Sequence, residues 1–192
     1  GYDFLDAEDW LHFSFDGTID KERSYEDLER LATGRRVVIP GFYGSMPDGS
    51  IRVLSRGGSD VTGALAAAAL DADVYENWTD VSGILMADPR IVDDPDTIER
   101  ITYNELRELS YMGAQVLHEG AVFPVREKNI PLNIRNTNDP GHPGTLIMES
   151  FKEDLRGDRF ITGIAGRKNC SIITVSKNGM SSQMGSLRPI LE

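Results

Sequence analysis

The pentapeptide Arg56-Gly57-Gly58-Ser59-Asp60 stands between a β-branched run, residues 51–54, and an alanine-rich run, residues 64–70. No other segment restricts the fold as much. Paired glycines permit a sharp turn, and the alanines that follow have the highest helix propensity in the chain. A strand must therefore pass into a helix at this point, with Ser59 or Asp60 as its expected N-cap. Residues 74–79 read as the next strand. Strand, helix and strand in this order predict a βαβ unit and a mainly parallel sheet, hence an α/β protein.

The rest of the chain extends that pattern. Residues 2–5 and 36–39 read as buried strands, separated by a charged excursion with a helix around 25–31 that Asp20 and Ser24 would cap. Met46-Pro47-Asp48-Gly49 forms a tight turn, and a long loop runs through Asp80, Gly83, Pro89 and Pro95. Thr102 and Glu105 make a capping box. After it, Leu106, Leu109, Val116 and Leu117 continue a helical stripe interrupted at Gly113, which predicts two helices meeting at that glycine. A further helix over 122–128 closes at Asn129, and residues 131–135 and 144–148 add two strands. Three regions result: 1–148, a charged linker 149–159, and a shorter unit 160–192 with strands at 160–166 and 171–175 and a helix start near Ser181. Some thirty residues cannot build a core alone, so the last unit is expected to be cut short.

With 31 acidic and 20 basic residues the net charge is −11, which disfavours nucleic acid and anionic lipid as partners. The longest apolar run, residues 64–70, falls far short of the ~20 residues that span a bilayer. No signal-peptide pattern opens the sequence, and Cys170 is the only cysteine, so a reducing cytoplasm is the expected location.

Chemistry concentrates in two places. At the RGGSD turn, free N–H groups of a helix N-terminus and the planar fork of Arg56 suit an anion, while the Asp60 carboxylate suits an ammonium group. Together they fit the two charged ends of an amino acid. A plain glycine turn with an Asp cap and a surface arginine fits the pentapeptide equally. The second place is the loop Trp78-Thr79-Asp80-Val81-Ser82-Gly83 with Asp88-Pro89-Arg90, which leaves a strand's carboxyl end, where α/β sheets bind ligands. Polyphosphate and ribose would find partners there, although Thr79 and Asp80 also fit a simple Asx or ST turn. His118, at helical spacing with Ala114 and Val122, fits a packed histidine better than a general base. No zinc-ligand spacing and no G-x-x-x-x-G-K-[ST] loop occurs, so no protein-built metal site is expected.

The succession R-G-G-S-D, W-T-D-V-S-G-I-L-M-A-D-P-R, M-G-A-Q-V-L-H, P-L-N-I-R-N-T and P-G-T-L-I resembles aspartate kinase, of the amino-acid kinase superfamily, over essentially the whole chain. The resemblance implies a three-layer αβα sandwich followed by an incomplete α+β ACT-like segment, in which Ser176 to Ser182 would form an effector loop. It further implies transfer of the γ-phosphoryl group of ATP, with Mg2+, to the side-chain carboxylate of L-aspartate, the entry to lysine, threonine, methionine and diaminopimelate. Carried over by motif, Arg56 and Asp60 are the implied catalytic pair, with Phe42 and Ser59 as substrate contacts. Thr79, Asp80, Leu85, Asp88, Arg90 and Gln115 are the implied ATP-binding set. Leu85, Gln115 and Glu119 stand where many members have tyrosine, lysine and proline. The family's K-[FY]-G-G-[ST]-S segment does not occur, so the chain is expected to hold the nucleotide half and part of the aspartate site, and to be weakly active or inactive alone. A lysine or threonine effector and a homo-oligomer are implied for the complete protein. The alternatives are a kinase for another acid and a noncatalytic amino-acid-sensing subunit.

Overall fold

Helix α2, Gly58–Ala69, lies between two apolar clusters, and its composition explains why. Ala64, Ala67, Ala68 and Leu65 are all buried, on more than one flank, so the helix has no water-facing stripe over its middle turns. Leu65 packs with Leu5, Trp10, Leu11, Leu28 and Ala32, while Ala64 and Ala67 join Ala121, Val125, Leu132, Ile134 and Ile147. The computed structural model describes residues 1–112, 117, 119–151, 161–166, 171 and 174.

Four strands form the main sheet in the order β5 (Tyr75–Thr79), β9 (Leu132–Asn136), β10 (Thr145–Met148), β8 (Arg100–Thr102). β5 with β9 and β10 with β8 run parallel, and β9 with β10 runs antiparallel. Register places Asn77 beside Ile134, Ile134 beside Thr145, and Ile147 beside Leu132 and Ile101 on one face. Those residues are all buried, whereas Glu76, Trp78 and Arg100 on the alternate face are exposed. Period-2 alternation thus places α2, α3 (Tyr103–Tyr111) and α4 (Glu119–Glu127) residues in one core with one sheet face. Burial pushes the Tyr103 phenol up to about 12, and its hydroxyl donates to Ile130 O.

The remaining strands are short pairs: β1 (Asp3–Phe4) parallel to β2 (Val37–Val38), β3 (Tyr43–Ser45) antiparallel to β4 (Ile51–Val53), and β6 (Ile84–Leu85) antiparallel to β7 (Thr97–Ile98). Here the structure departs from expectation. β4 pairs with β3 across the Met46–Ser50 turn and not with β5, so strand, α2 and strand do not form a βαβ unit within one sheet. β1 and β2 form as expected, but Tyr2, Phe4 and Val38 are exposed, and only the flanking Leu5 is buried. The loop after residue 79 contains β6 and β7, strands too short to leave a periodic signal.

Helix α1 spans Lys21–Ala32, and Asp20 is its cap, accepting from Arg23 N. Ser24 is not a cap: it is buried inside the helix, where its hydroxyl donates to Asp20 O and accepts from His12 N. The His12 ring bridges Ser45 Oγ (2.8 Å) and Asp27 Oδ2 (2.9 Å), tying the β3 ribbon to α1. At α2 neither Ser59 nor Asp60 caps: the N-cap is Gly57 at φ +79°, a left-handed conformation that glycine adopts without a Cβ penalty. The capping box of Thr102 and Glu105 forms in full at α3. Residues 161–166 form no strand. They lie against the preceding region, with Ile164 N donating to Met86 O (2.7 Å) and Thr162 Oγ1 to Glu105 Oε1 (2.7 Å). Gly113, the remainder of the 149–159 linker beyond Phe151, and nearly all of the 167–192 segment, including Cys170, fall outside the described residues.

Two outcomes follow for stability. Leu132→Ala, deleting a fully buried side chain at the centre of the sheet, is expected to cost about 2–5 kcal/mol, read from the denaturant midpoint. Hydrogen bonds from Arg30 first, and from His12, hold the Asp27 carboxyl below its ordinary range. A depressed folded value stabilises above the unfolded value of about 3.9 and is lost as pH falls through the folded one. Asp27→Asn should therefore flatten the fall in stability as pH drops below about 4 in acid titrations of the unfolding midpoint.

Candidate functional site

The turn that opens α2 meets the Pro40-Gly41-Phe42 segment closely. A Cβ on Gly58 would stand 2.6 Å from Leu54 Cβ and 3.1 Å from the Phe42 ring, and one on Gly41 would stand 3.1 Å from Ser59 Cα. Only glycines at 41 and 58 let the two segments approach so nearly. Phe42 itself has φ +89°, an uncommon conformation for a bulky residue. It is held there by its N–H, which donates to Thr62 Oγ1 (3.0 Å), while the same hydroxyl donates to Gly58 O (2.8 Å). A bulky residue held at positive φ beside a helix N-terminus makes this turn a candidate site.

Four of the expected residues are thus neighbours. Phe42 and Ser59 are exposed at the mouth of the turn, Arg56 is exposed with no hydrogen bond or ion pair to another described residue, and Asp60 is half-buried in the first turn. Asp60 does not serve the free N–H groups of its own helix. Its Oδ1 accepts from Asn77 Nδ2 (3.1 Å), and its backbone carbonyl accepts from Tyr75 Oη (3.0 Å). Burial, and secondarily the Asp60 charge, pushes the Tyr75 phenol up. An exposed guanidinium, N–H groups without a side-chain cap and a carboxylate thus lie within five residues at one helix start, a set that suits a ligand with an anionic and an ammonium end.

The second group lies along β5. Tyr75, Asn77 and Thr79 occupy one strand face, at successive spacings of roughly 6.6 Å, so the strand that holds Asp60 also carries Thr79. Thr79 O accepts from Thr137 N (2.8 Å) and Oγ1 (2.9 Å), and Asn136 Nδ2 donates to Ser82 Oγ (2.8 Å). The loop 80–83 is therefore fastened to the end of β9. Gly83 at φ +109° turns the loop into β6, where a side chain would run into Thr145 Oγ1. Asp80 is exposed beside the Thr79 hydroxyl, and Leu85 is partly exposed in β6. Arg90 is not a free cation: Asp88 accepts from its N–H, Nε and Nη2, and this pairing raises the Arg90 pKa. Arg90 makes no bond to Thr79 or Asp80. Gln115 and His118 lie outside the described residues, as does the Glu119 side chain.

Sequence reasoning missed Thr62, Tyr75, Asn77, Asn136 and Thr137. The motif P-L-N-I-R-N-T contains the last two, and an asparagine in the middle of an otherwise strand-like run was the available signal for Asn77. Thr62→Val, which leaves the Phe42 N–H without its acceptor, is expected to cost about 1–3 kcal/mol and to speed amide exchange at Phe42, measured by denaturation and by hydrogen exchange.

Residues 4–136 match the family model described as the amino acid kinase family. Aspartokinase 3 of Bacillus subtilis is 39% identical over 170 residues, which are 88% of this chain and 37% of that protein. The crystal structure of Clostridium acetobutylicum aspartate kinase superposes with a TM-score of 0.79 at 54% identity, covering 85% of this chain and 38% of that one. E. coli aspartokinase III, in complex with aspartate and ADP, gives a TM-score of 0.70 at 31% identity over 79% of this chain and 36% of its own. The chain spans little more than a third of the length of these proteins. Its α/β architecture, the joined segments around α2 and β5, and the match over residues 4–136 place it in one group: the chain belongs to the amino acid kinase family.

Proposed function

We propose that this chain carries the acceptor site and part of the nucleotide site of an aspartate kinase, which transfers the γ-phosphoryl group of MgATP to the side-chain carboxylate of L-aspartate. The observation that carries this reading is the Arg56–Asp60 turn, where an unpaired guanidinium and a held carboxylate flank one helix N-terminus while β5 leads from that turn to Thr79. In the reaction a carboxylate oxygen of aspartate attacks the γ-phosphorus, the bond to the bridging oxygen of ADP breaks, and an acyl phosphate forms. Such a transfer needs positioning and charge neutralisation more than covalent participation. Arg56 would take an aspartate carboxylate, and Asp60 its ammonium group. Phe42 and Ser59 would line the acceptor, with Thr79, Asp80, Leu85 and the Asp88–Arg90 pair toward the nucleotide. Gln115 belongs to the nucleotide set on the sequence resemblance. No cluster of three or more His, Cys, Asp or Glu residues that could hold a metal lies among the described residues, and Mg2+ is proposed to enter with ATP as part of that substrate.

E. coli aspartokinase III has also been seen with lysine and aspartate. By analogy the 160–192 segment is proposed as the beginning of an ACT-like regulatory unit for lysine or threonine, in a homo-oligomeric cytoplasmic enzyme. No helix among the described residues is long and apolar enough to cross a membrane.

The test is ADP release from MgATP by the full polypeptide carrying this sequence, with L-aspartate, L-glutamate or no acceptor. Aspartate-dependent release, reduced roughly 100-fold or more in kcat/KM by Arg56→Ala, is the expected result. Release that ignores the acceptor, or that Arg56→Ala leaves unchanged, would refute the assignment.

A further inference from the structure

Asn77 is a polar side chain where the sheet calls for an apolar one. It is 7% exposed, its register partner on β9 is Ile134, and the same face carries Leu132, Ile147 and Ile101. An amide buried there is costly unless its hydrogens are used. Both are: Nδ2 donates to Asp60 Oδ1 and to Tyr75 Oη, each at 3.1 Å. The Tyr75 hydroxyl in turn donates to the Asp60 backbone carbonyl at 3.0 Å, so three polar groups close a ring around one residue of α2. The helix is indented to admit this ring. A Cβ on Gly63 would stand 2.7 Å from Tyr75 Oη, so any larger residue would push the phenol away from Asp60.

The ring has a directional effect. A carboxylate in the first turn of a helix is drawn to the free N–H groups of that turn, where it would act as a cap and lose its use as a ligand. Asp60 makes no such bond. Asn77 instead takes Oδ1 toward β5, which leaves Oδ2 without a donor among the described residues and available to a cation. From this geometry we infer that Asn77 and Tyr75 are positioning residues that hold the Asp60 carboxylate and thereby set how well the acceptor's ammonium group is recognised. The inference rests on the acceptor-site reading of the Arg56–Asp60 turn and adds to it the source of selectivity for an amino acid over a plain diacid.

The experiment measures calorimetric dissociation constants for L-aspartate and for succinate, the same four-carbon diacid without the amino group, together with ADP binding and Tm as controls. The full polypeptide is compared with Asn77→Leu, Asn77→Ser, Tyr75→Phe and Asp60→Asn. Wild type should prefer L-aspartate. Asn77→Leu should weaken L-aspartate about 10-fold or more, as expected for loss of a hydrogen bond to a charged group, with succinate and ADP unchanged. Tyr75→Phe should weaken it in the same selective way by roughly threefold. If Asn77→Leu does not fold, Asn77→Ser and Tyr75→Phe carry the test. Retention of the full aspartate preference in the variants that fold, or an equal loss of both diacids, would overturn the inference while leaving the acceptor site standing. If Asp60→Asn leaves the preference intact, or wild type shows none, the acceptor-site reading fails and takes this inference with it.

Discussion

The close packing of α2 at its N-terminus is the constraint on which the rest depends. Alanines along its middle let the helix serve two apolar clusters at once, and Gly57 and Gly58 let its first turn lie against Phe42 and Leu54. A helix fixed on two flanks cannot rotate to relieve strain at one end. The positive φ of Phe42 is therefore sustained by packing at a distance, with Thr62 as the local tie through its bonds to Phe42 N and Gly58 O. On the proposed reading, the same buried helix that stabilises the fold presents its free N–H groups to the acceptor.

In the proposed site, strand β5 does for the second substrate what α2 does for the first. Two of its residues on the core-side face are polar where β9 carries leucine and isoleucine, and both reach α2: Tyr75 opposite Leu132 and Asn77 opposite Ile134, while the Thr79 carbonyl at the strand's end accepts from Thr137. Because successive same-face residues are set by strand geometry, the spacing between the two half-sites is a property of the backbone. The opposite face is braced separately, by Arg135 stacked over Trp78 at 4.9 Å and bonded to Glu76 and to Pro140 O.

Features with local causes were legible in the sequence. The alanine run predicted α2, Thr102 and Glu105 predicted the α3 start, and the Met46–Ser50 turn was evident from its residues. What escaped depended on partners remote in sequence. β4 reads as a sheet strand by composition, yet it is claimed by β3 in a hairpin; β6 and β7 are two residues each and exist because they pair. Ser24 has a cap residue's chemistry, but its neighbour in space is His12, which no periodicity could announce. In the candidate site, motif reasoning named Phe42, Ser59 and Asp60, and the structure sets the Phe42 segment against Gly58 and Ser59, whereas the bond from Asn77 to Asp60 Oδ1 joins residues that no local pattern links.

Charge distribution separates the two expected arginines. In a molecule of net charge −11, cations find acids readily: Lys21, Arg30, Arg35, Arg90, Arg126, Lys128 and Arg135 each pair with a carboxylate. Arg56 pairs with none of the described residues, so on the proposed reading an arriving carboxylate breaks no ion pair among them. Arg90 would have to release Asp88 to take a phosphate. That pair is largely solvent-exposed on the arginine side, and exposed pairs are worth about 0–1 kcal/mol, so a polyphosphate of higher charge can outcompete it. The Asp88 carboxylate fixes the guanidinium in one place and offsets its charge; in the proposed site its displacement would make nucleotide binding at this loop an exchange of anions. On the proposed reading, Arg56 is a standing anion site, and Arg90 is one that a nucleotide must open.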